Sequence, residues 1–315
     1  MGLWTTVCGT PGDRPGRETG AMKCGKPEWL RSVTLGGVEA ARVRSLIDGA
    51  GLHTVCREAA CPNQGRCFEN GTATFLILGD TCTRRCAYCA VRKASGPVPP
   101  PPPDEPERVA SAVEALGLKY AVVTSVTRDD LADGGASIFA DTIAAIRKRS
   151  PSTKVEVLTP DFKGCGRSLS IVGEARPDVF NHNVETVERL FPALRPGASY
   201  RTSLDLLSTF RRIQPGIPTK SGIMLGLGES AEDIRSTLAD LRSAGVTMLT
   251  LGQYLQPTRN HQPVDRFVTP AEFDQWRSEA LAAGFAAVAS GPLVRSSFDA
   301  AAAYAGLSVH GEGRE

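Results

Sequence analysis

Short apolar and β-branched runs alternate with longer amphipathic stretches along most of this chain, from residue 73 onward. Apolar runs bounded by turn residues predict buried strands, whereas apolar residues at helical spacing predict helices. The predicted strands are 73–78, 120–125, 154–158, 179–181, 200–203, 221–225, 248–252 and 286–289. The predicted helices are 37–49, 105–116, 136–148, 167–175, 185–190, 231–244 and 271–283.

Strands that alternate with helices predict βαβ units and a parallel sheet. The number of strands favours an α/β fold of the incomplete (β/α) barrel type over an open doubly wound sheet. In such barrels the reactive groups lie on the loops that follow the strands. The loop after the first predicted strand, residues 82–89, contains three cysteines and is therefore the first candidate site.

Composition and charge narrow the possible partners. The 315 residues are 41% hydrophobic and 22% charged, as in ordinary globular proteins. The net charge of +2 predicts neither nucleic acid nor a membrane as partner. Residues 1–25 are rich in Gly, Thr, Pro and Arg without periodicity, which predicts disorder. They lack the apolar region of an export signal, so we expect a cytoplasmic protein whose thiols stay reduced.

Six of the nine cysteines fall into two groups of three that are separated by fourteen residues. The first group reads C-x4-C-x5-C and the second reads C-x3-C-x2-C. Their members are Cys56, Cys61 and Cys67, followed by Cys82, Cys86 and Cys89. A structural zinc site and an electron-transfer iron–sulfur cluster each take four protein ligands. Three thiols leave a metal position open to a cofactor or a weaker ligand, so the pattern indicates chemistry at two iron–sulfur clusters.

The second cysteine group, with Tyr88 before its last member, resembles the signature of the radical S-adenosylmethionine superfamily over about residues 73–290. In that superfamily the open iron binds S-adenosylmethionine, and one electron from the [4Fe–4S] cluster cleaves this cofactor to a 5′-deoxyadenosyl radical. The alternative is a zinc site with a distant fourth ligand. The closest histidine in sequence is His53, so no such ligand lies nearby.

Several motifs narrow this resemblance to the lipoyl synthases, from about Pro27 to Phe298. Besides the first cysteine group, they are CTRRCAYC, VTSVTRDDLADGG, FNHNVETV, SGIMLGLGE, LGQYLQPTRNHQPVDRF and GPLVRSSF. The resemblance implies that the first group holds an auxiliary [4Fe–4S] cluster whose sulfides are consumed. The resemblance further implies that the fourth ligand of this cluster is the first serine of an R-S-S-Y motif, which maps onto Ser296. A hard serine ligand suits a cluster that must be dismantled. The motif ends in Phe298 instead of tyrosine, which removes the usual phenol.

The resemblance also implies which residues act. Catalysis falls to Cys82, Cys86, Cys89 and Ser296. The expected contacts of S-adenosylmethionine are Tyr88, Asn181, Asn183 and Gly226. The asparagines could instead cap the following helix, and the glycine could simply make a turn. A basic set around the second cysteine group predicts a surface that steers an acidic carrier domain, or alternatively a solvated face. Its members are Arg84, Arg85, Arg92 and Lys93.

The implied reaction inserts two sulfur atoms at C6 and C8 of a protein-bound N6-octanoyl-lysine to form the lipoyl group. These carbons are unactivated, so no acid or base can remove their hydrogens at neutral pH and a carbon radical is needed. The implied partners are octanoylated lipoyl-carrier domains (glycine cleavage H protein or 2-oxoacid dehydrogenase E2 type), an electron donor such as ferredoxin or flavodoxin, and an iron–sulfur carrier that rebuilds the cluster. The alternatives are a sulfur-inserting enzyme resembling biotin synthase and a two-cluster electron carrier.

These expectations divide the chain into four parts. A disordered extension covers 1–25, an auxiliary-cluster segment 26–72, the partial barrel 73–290, and a C-terminal segment with the serine ligand 291–315. The family resemblance begins just after Met22, at KCGKPEWLR. We therefore expect residues 1–21 to be dispensable, with Met22 as the initiator.

Overall fold

A computed structural model describes residues 26–31, 37–70 and 72–311, with side chains up to residue 307. The predicted disordered stretch 1–25 and the expected start at Met22 lie outside these residues. The strands are β1 (His53–Thr54), β2 (Thr74–Ile77), β3 (Thr81–Cys82), β4 (Arg92–Lys93), β5 (Tyr120–Ser125), β6 (Lys154–Leu158), β7 (Val179–Asn181), β8 (Thr219–Leu225), β9 (Met248–Gln253) and β10 (Ala287–Gly291).

Helices follow most of the strands. The α-helices are α1 (Val38–Gly49), α2 (Val55–Glu58), α3 (Gln64–Glu69), α4 (Glu105–Leu116), α5 (Ala136–Arg149), α6 (Gly166–Glu174), α7 (Phe191–Leu194), α8 (Tyr200–Ile213), α9 (Ala231–Ser243), α10 (Pro270–Ala282) and α11 (Ala300–Gly311). Single 3-10 turns cover Glu28–Leu30, Phe162–Gly164 and Glu188–Leu190. None of the helices in the described part of the chain is long and apolar enough to cross a membrane.

Eight strands form one sheet in the order β1-β2-β5-β6-β7-β8-β9-β10. All neighbours from β2 to β10 are parallel, whereas β1 pairs antiparallel with β2 at one edge. The edge strands β1 and β10 do not pair with each other, so the sheet stays open. The predicted incomplete (β/α) barrel is therefore confirmed.

The two faces of the sheet are buried for different reasons. One face packs against helices, as where Phe180 of β7 stacks on Phe210 of α8 with ring centroids 3.7 Å apart. Such a pair adds about 0.5–1.5 kcal/mol beyond its buried area. The opposite face looks into the barrel and carries polar groups, including the ion pair of Glu156 in β6 with Lys220 in β8 at 3.0 Å. Both charges are buried, so each depends on the other for compensation of its lost hydration.

Residues 200–203, predicted as a strand, begin helix α8 instead, so that prediction is wrong. The Ser199 side chain accepts a hydrogen bond from the backbone N–H of Thr202 at 3.2 Å and caps the helix. Leu207 and Phe210 are buried one and two turns further on, which gives α8 an apolar face. The β-branched and aromatic residues at the start of α8 suggested a strand, but the cap and the longer period decide the outcome.

The predicted helix 185–190 is also wrong over its first turn. Glu185 has a left-handed φ of 68°, which interrupts any helix. Its backbone follows β8 instead: the Glu185 N–H donates to the Gly222 carbonyl, and its own carbonyl accepts from Met224 N–H, both at 2.9 Å. Helical structure resumes only with Glu188–Leu190 and α7. This excursion brings Glu185 to the interior of the barrel.

Candidate active site

A cavity of about 750 Å³ lies inside the open barrel. Interior residues of the strands form one wall, among them Leu76, Val122, Leu158, Gly222 and Thr250. The first cysteine group, the loop of the second group and the C-terminal segment complete the lining. The members of these three segments that matter here are Cys56, Cys61, Cys67, Tyr88, Cys89, Arg295 and Ser296.

The first cysteine group is placed by two short helices and the turn between them. Cys56 lies in α2, Cys67 lies in α3, and Cys61 precedes the turn that joins them. Backbone bonds close this arrangement, with the Cys61 N–H donating to the Cys56 carbonyl at 3.2 Å. Burial raises the pKa of Cys56 to about 12 and that of Cys67 to about 11. Buried thiols of this kind become thiolates when a metal cation binds them.

Two contacts fasten the C-terminal segment to the segment of the first cysteine group, and a third fastens it to β2. Asn63 Nδ2 donates to the Leu293 carbonyl at 2.6 Å, and the Arg66 guanidinium lies 5.3 Å from the centre of the Phe298 ring. Thr74 of β2 donates to the Ser297 hydroxyl at 2.8 Å. The Phe298 ring thus has a cation–π partner, although it lacks the phenol of the tyrosine that usually ends the motif.

Ser296 points toward the strand ends. Its Oγ accepts a hydrogen bond from Asn181 Nδ2 at 2.7 Å and donates to Asn183 Oδ1 at 3.1 Å. The C-terminal segment can approach the strand ends this closely because Gly252 has no Cβ that would collide with the Val294 carbonyl. The structure therefore brings Ser296 into the same cavity as the first cysteine group. Ser297 also lines this cavity but bonds to Thr74 instead of the asparagines.

The second cysteine group occupies the loop that follows β2, where the barrel rule places reactive groups. Neighbouring loops hold it: the Ala87 N–H donates to the Leu194 carbonyl at 2.9 Å, and His261 Nε2 lies 3.0 Å from the Cys89 carbonyl. Burial raises the pKa of Cys89 to about 12. Burial also raises the pKa of Cys86, while a nearby arginine and the Tyr88 hydroxyl act in the opposite direction.

All six grouped cysteines are free thiols. Each group offers three thiolates, one fewer than the four protein ligands of a structural zinc site. A [4Fe–4S] cluster held by three thiolates leaves one iron open to a further ligand, so the residues of both groups fit such a cluster.

Two charged residues of the site were missed from the sequence. Glu185 lines the cavity, and Arg195 lies buried behind it. Arg195 Nη1 donates to the carbonyls of Asn183 and Val184 at 3.0 and 3.2 Å. Burial raises the pKa of Glu185, opposed by Arg195 and by a hydrogen bond from Asn183. The FNHNVETV motif contains Glu185 and could have identified it, whereas nothing in the sequence marks Arg195.

Arg84 corrects the prediction of a basic surface around the second cysteine group. Its side chain is buried and ion-paired with Asp129 at 2.8 Å and with Asp161 at 2.5 Å. Its charge is therefore neutralised inside the protein and cannot steer a partner. Arg85 and Arg92 remain exposed, although Arg92 pairs with Asp80 at 3.1 Å.

Two of the expected cofactor contacts also make contacts within the protein, and their role in binding S-adenosylmethionine stays a prediction. Gly226 is not part of the cavity lining, and a Cβ there would collide with Gln253 and the Arg266 carbonyl. Its glycine is therefore explained by packing at a φ of 94°. Asn181 is fully buried and uses its amide on Glu156 and Ser296. Tyr88 and Asn183 do line the cavity.

The fold and the three-thiol loop define the class of protein. The family model of the radical S-adenosylmethionine superfamily matches residues 76–241, more than half of the chain, so the chain belongs to that superfamily. Solved structures agree in fold: HydG, a maturase of the [FeFe]-hydrogenase, aligns with a TM-score of 0.55 at 14% identity over 68% of this chain and 49% of its own. Streptococcus suis SuiB bound to S-adenosylmethionine aligns at 0.52 and 12% identity over 70% and 51%.

Within that class, full-length relatives identify the family. The lipoyl synthase of Desulfotalea psychrophila is 57% identical over 279 residues, which cover 89% of this chain and 93% of that protein. The lipoyl synthase of Methylococcus capsulatus is 57% identical over 276 residues, or 87% and 85% of the two chains. The chain therefore belongs to the lipoyl synthase family. This decides against the alternatives of a biotin-synthase-like enzyme and an electron carrier.

Proposed function

We propose that this enzyme inserts two sulfur atoms at C6 and C8 of an octanoyl-lysine carried by a protein, and takes them from an auxiliary [4Fe–4S] cluster. One observation carries the proposal: the first cysteine group, Ser296 and Cys89 of the second group all line one cavity. A radical generated beside Cys89 would therefore act on a substrate that also faces the sulfur source. Each carbon–hydrogen abstraction would consume one S-adenosylmethionine, so two are used per product.

Each cysteine group has its own cofactor in this proposal. Cys82, Cys86 and Cys89 would hold a [4Fe–4S] cluster that supplies the electron for cleavage of S-adenosylmethionine when it is bound. Cys56, Cys61, Cys67 and Ser296 would hold the auxiliary cluster, which supplies sulfur when it is bound. Burial raises the pKa of Cys61, and the Arg295 guanidinium opposes that effect. Arg295 thereby stabilises negative charge on the sulfur side of the cavity.

The cavity lining suits an alkyl chain next to a polar cofactor. Leu76, Val122 and Leu158 offer apolar contact from the strands, and about 750 Å³ falls within the usual size of a ligand pocket. Tyr88 and Glu185 supply polar groups on the side of the second cysteine group. We therefore assign S-adenosylmethionine to that side and the octanoyl chain to the strand wall, whose apolar side chains suit an alkyl chain.

The substrate would be an octanoylated lipoyl-carrier domain of the glycine cleavage H protein or the 2-oxoacid dehydrogenase E2 type. The radical cluster would need an external electron, for which ferredoxin or flavodoxin is a suitable donor. A cluster consumed as a sulfur source must be rebuilt, so an iron–sulfur carrier protein is also required. Free thiols in both groups are consistent with action in the cytoplasm, where cysteines stay reduced.

Anaerobic turnover with an octanoyl-lysine peptide tests this function. We expect mass spectrometry to show a first product heavier than the substrate by one inserted sulfur, as a thiol, and a second product that carries both sulfurs in a dithiolane ring. Both should form together with 5′-deoxyadenosine. Formation of 5′-deoxyadenosine without any gain of sulfur on the peptide would refute sulfur insertion into this substrate while leaving the radical chemistry intact.

Substitution of Ser296 should impair sulfur insertion more than cluster content. Ser296→Ala keeps three thiolates on the auxiliary cluster, so we expect a modest fall in iron and a large fall in lipoyl product. Ser296→Cys supplies a thiolate, which is the better iron ligand, so the cluster should be retained more tightly and release sulfide less readily. Iron analysis and product yield on the octanoyl-lysine peptide measure the two effects.

Ser297 provides the matched control, because it is the adjacent hydroxyl but bonds to Thr74 instead of the asparagines. Ser297→Ala should have a comparatively small effect on product yield. If Ser297→Ala were the damaging change and Ser296→Cys turned over normally, the ligand would be the other hydroxyl.

A further inference from the structure

Three side chains with metal-ligating atoms meet at the β1 edge of the sheet, and none of them belongs to the cavity lining described above. His53 comes from β1, Glu58 is the last residue of α2, and Asp80 lies between β2 and β3. One ligand atom of each, a ring nitrogen or a carboxylate oxygen, lies within 4.8 Å of the ligand atoms of the other two. We call these three residues the edge cluster.

The separations within the edge cluster suit a single divalent ion. His53 Nδ1 and Glu58 Oε1 are 3.4 Å apart. Two ligands of a tetrahedral ion with bonds of about 2.1 Å are also about 3.4 Å apart. Ligands on opposite sides of an octahedral ion with such bonds are about 4.2 Å apart. The Asp80 carboxylate therefore needs a shift of less than about 1 Å to complete an octahedral set, which rotation of its side chain can supply.

The charges of the edge cluster also favour a cation. The carboxylates of Glu58 and Asp80 repel each other at this distance. Arg92 pairs with Asp80 at 3.1 Å, but its side chain is 69% exposed, so water screens that pair. A divalent ion between the two carboxylates would compensate both. Thr81 Oγ1 donates to Asp80 Oδ1 at 2.8 Å, which orients this carboxylate as hydrogen bonds to metal ligands commonly do.

The donor atoms indicate which ions would bind. An imidazole nitrogen suits zinc and iron, and carboxylates suit manganese, so the set favours a divalent first-row transition metal. Mg²⁺ and Ca²⁺ prefer oxygen ligands alone. The side chains of His53, Glu58 and Asp80 are 36%, 26% and 22% exposed. An ion can therefore enter from solvent, and water can fill the positions that the protein leaves open.

We propose that the edge cluster binds one divalent transition-metal ion, which ties the segment of the first cysteine group to the loop that leads to the second. Glu58 lies on the helix that carries Cys56, and Asp80 precedes the strand that contains Cys82. The strands β1 and β2 pair through two residues each, so this edge has few bonds of its own. The proposal is independent of sulfur insertion, because its ligands and its test involve neither the cavity nor the substrate.

Titration of the oxidised, fully reconstituted holoenzyme with Mn²⁺ tests the site. Mn²⁺ prefers oxygen and nitrogen ligands to thiolates, so the cysteine groups do not compete for it. Electron paramagnetic resonance follows the free ion, and we expect saturable loss of its signal with one ion bound per chain. His53→Ala should weaken binding by at least about tenfold, since even the loss of a group that only orients a ligand has an effect of that size.

Asp80→Asn and Glu58→Gln keep the shape of the side chain and should weaken binding as well, which covers the case in which His53→Ala fails to fold. Absence of saturable binding, or unchanged affinity in these variants, overturns the site.

Arg92→Ala should have the opposite effect, because it removes the guanidinium that competes with the ion for Asp80. We expect the affinity for Mn²⁺ to rise by about twofold to fivefold, the equivalent of one exposed ion pair. A merely structural role of the edge cluster predicts no such gain. Weaker binding of Mn²⁺ in Arg92→Ala than in the wild type would contradict a site that includes Asp80.

Glu107→Gln is the matched control for surface charge. Glu107 and Glu114 are two neighbouring carboxylates that share Arg149 at 3.2 Å each, and neither belongs to the edge cluster. Glu107→Gln should therefore leave the affinity unchanged. Equal losses in Glu107→Gln and His53→Ala would mean nonspecific attraction of the ion to acidic surface and would overturn the site.

Hydrogen exchange measured by mass spectrometry tests the tie between the segments. Mn²⁺ should slow amide exchange in the peptides that contain β1, α2 and the loop around Asp80, because the ion links them when bound. The same addition should leave exchange in His53→Ala unchanged. Stoichiometric binding in the wild type without slower exchange would overturn the tie.

Discussion

Replacing Cys82, Cys86 and Cys89 together by alanine abolishes cleavage of S-adenosylmethionine and removes about half of the iron, if each cysteine group holds one four-iron cluster. The loop after β2 provides no other thiol, and the first cysteine group lies on separate helices. The remaining cluster therefore cannot substitute for the radical one. Anaerobic reconstitution, iron and sulfide analysis, and chromatography of 5′-deoxyadenosine measure the effect.

Cys165→Ala is the control for this variant. Cys165 is exposed and belongs to neither group, so its loss should change neither iron content nor cleavage. Full cleavage by the reconstituted triple variant would mean that the radical cluster is held elsewhere. Loss of both clusters would instead point to misfolding, which the circular dichroism spectrum of the variant would reveal.

The fold was predictable wherever the sequence of a segment itself contains a clear strand or helix pattern. Strands β5, β6 and β7 have the predicted bounds, because each is an apolar run between turn residues. Helix α4 begins and ends as predicted, with Pro106 in its first turn and Gly117 in the left-handed conformation after its end. The predictions are wrong where tertiary contacts outweigh the local preference for a helix. Glu185 is an example, because its backbone pairs with β8 instead of forming a helical turn.

Some residues of the candidate site could likewise be predicted from the sequence, and others could not. The cysteines could be found because cluster ligands recur at fixed spacings within one loop or turn. Arg195, Glu156 and Lys220 could not, because their importance comes from burial beside residues far away in sequence. Arg84 was assigned to the surface for the same reason: its two aspartate partners lie 45 and 77 positions away. A charged residue is interpretable only once its partners are known.

Asn181 illustrates a residue whose position could be predicted but whose contacts could not. A polar residue at the end of a barrel strand is a candidate for ligand contact, and Asn181 ends β7 as predicted. Strand alternation, however, turns its amide toward Glu156 and Ser296 inside the barrel. Asn183, two residues further along, lines the cavity. Which of the two asparagines lines the cavity depends on the pairing register of the strand and on the position of the C-terminal segment. Neither can be read from the local sequence.

Replacing Cys56, Cys61 and Cys67 together by alanine should eliminate sulfur insertion and leave cleavage of S-adenosylmethionine measurable. The physical reason is the separation of the two groups: the first is carried by α2 and α3, whereas the second follows β2 and is held by the loops after Thr127 and Leu194. The radical generator thus keeps its thiols when the sulfur source is lost. We expect no thiolated or lipoyl peptide by mass spectrometry, with 5′-deoxyadenosine still formed.

The fate of the octanoyl chain provides the most direct test of this prediction. With the sulfur source absent, a radical formed on the substrate has no sulfide to attack, so abstraction becomes unproductive. A deuterated octanoyl-lysine peptide should then transfer deuterium to 5′-deoxyadenosine without gaining sulfur. Cys165→Ala should form the normal product under the same conditions. Lipoyl peptide from the triple variant would show that the sulfur comes from another source and that these three thiols are structural. Absence of both deuterium transfer and cleavage would show that the two clusters are not independent.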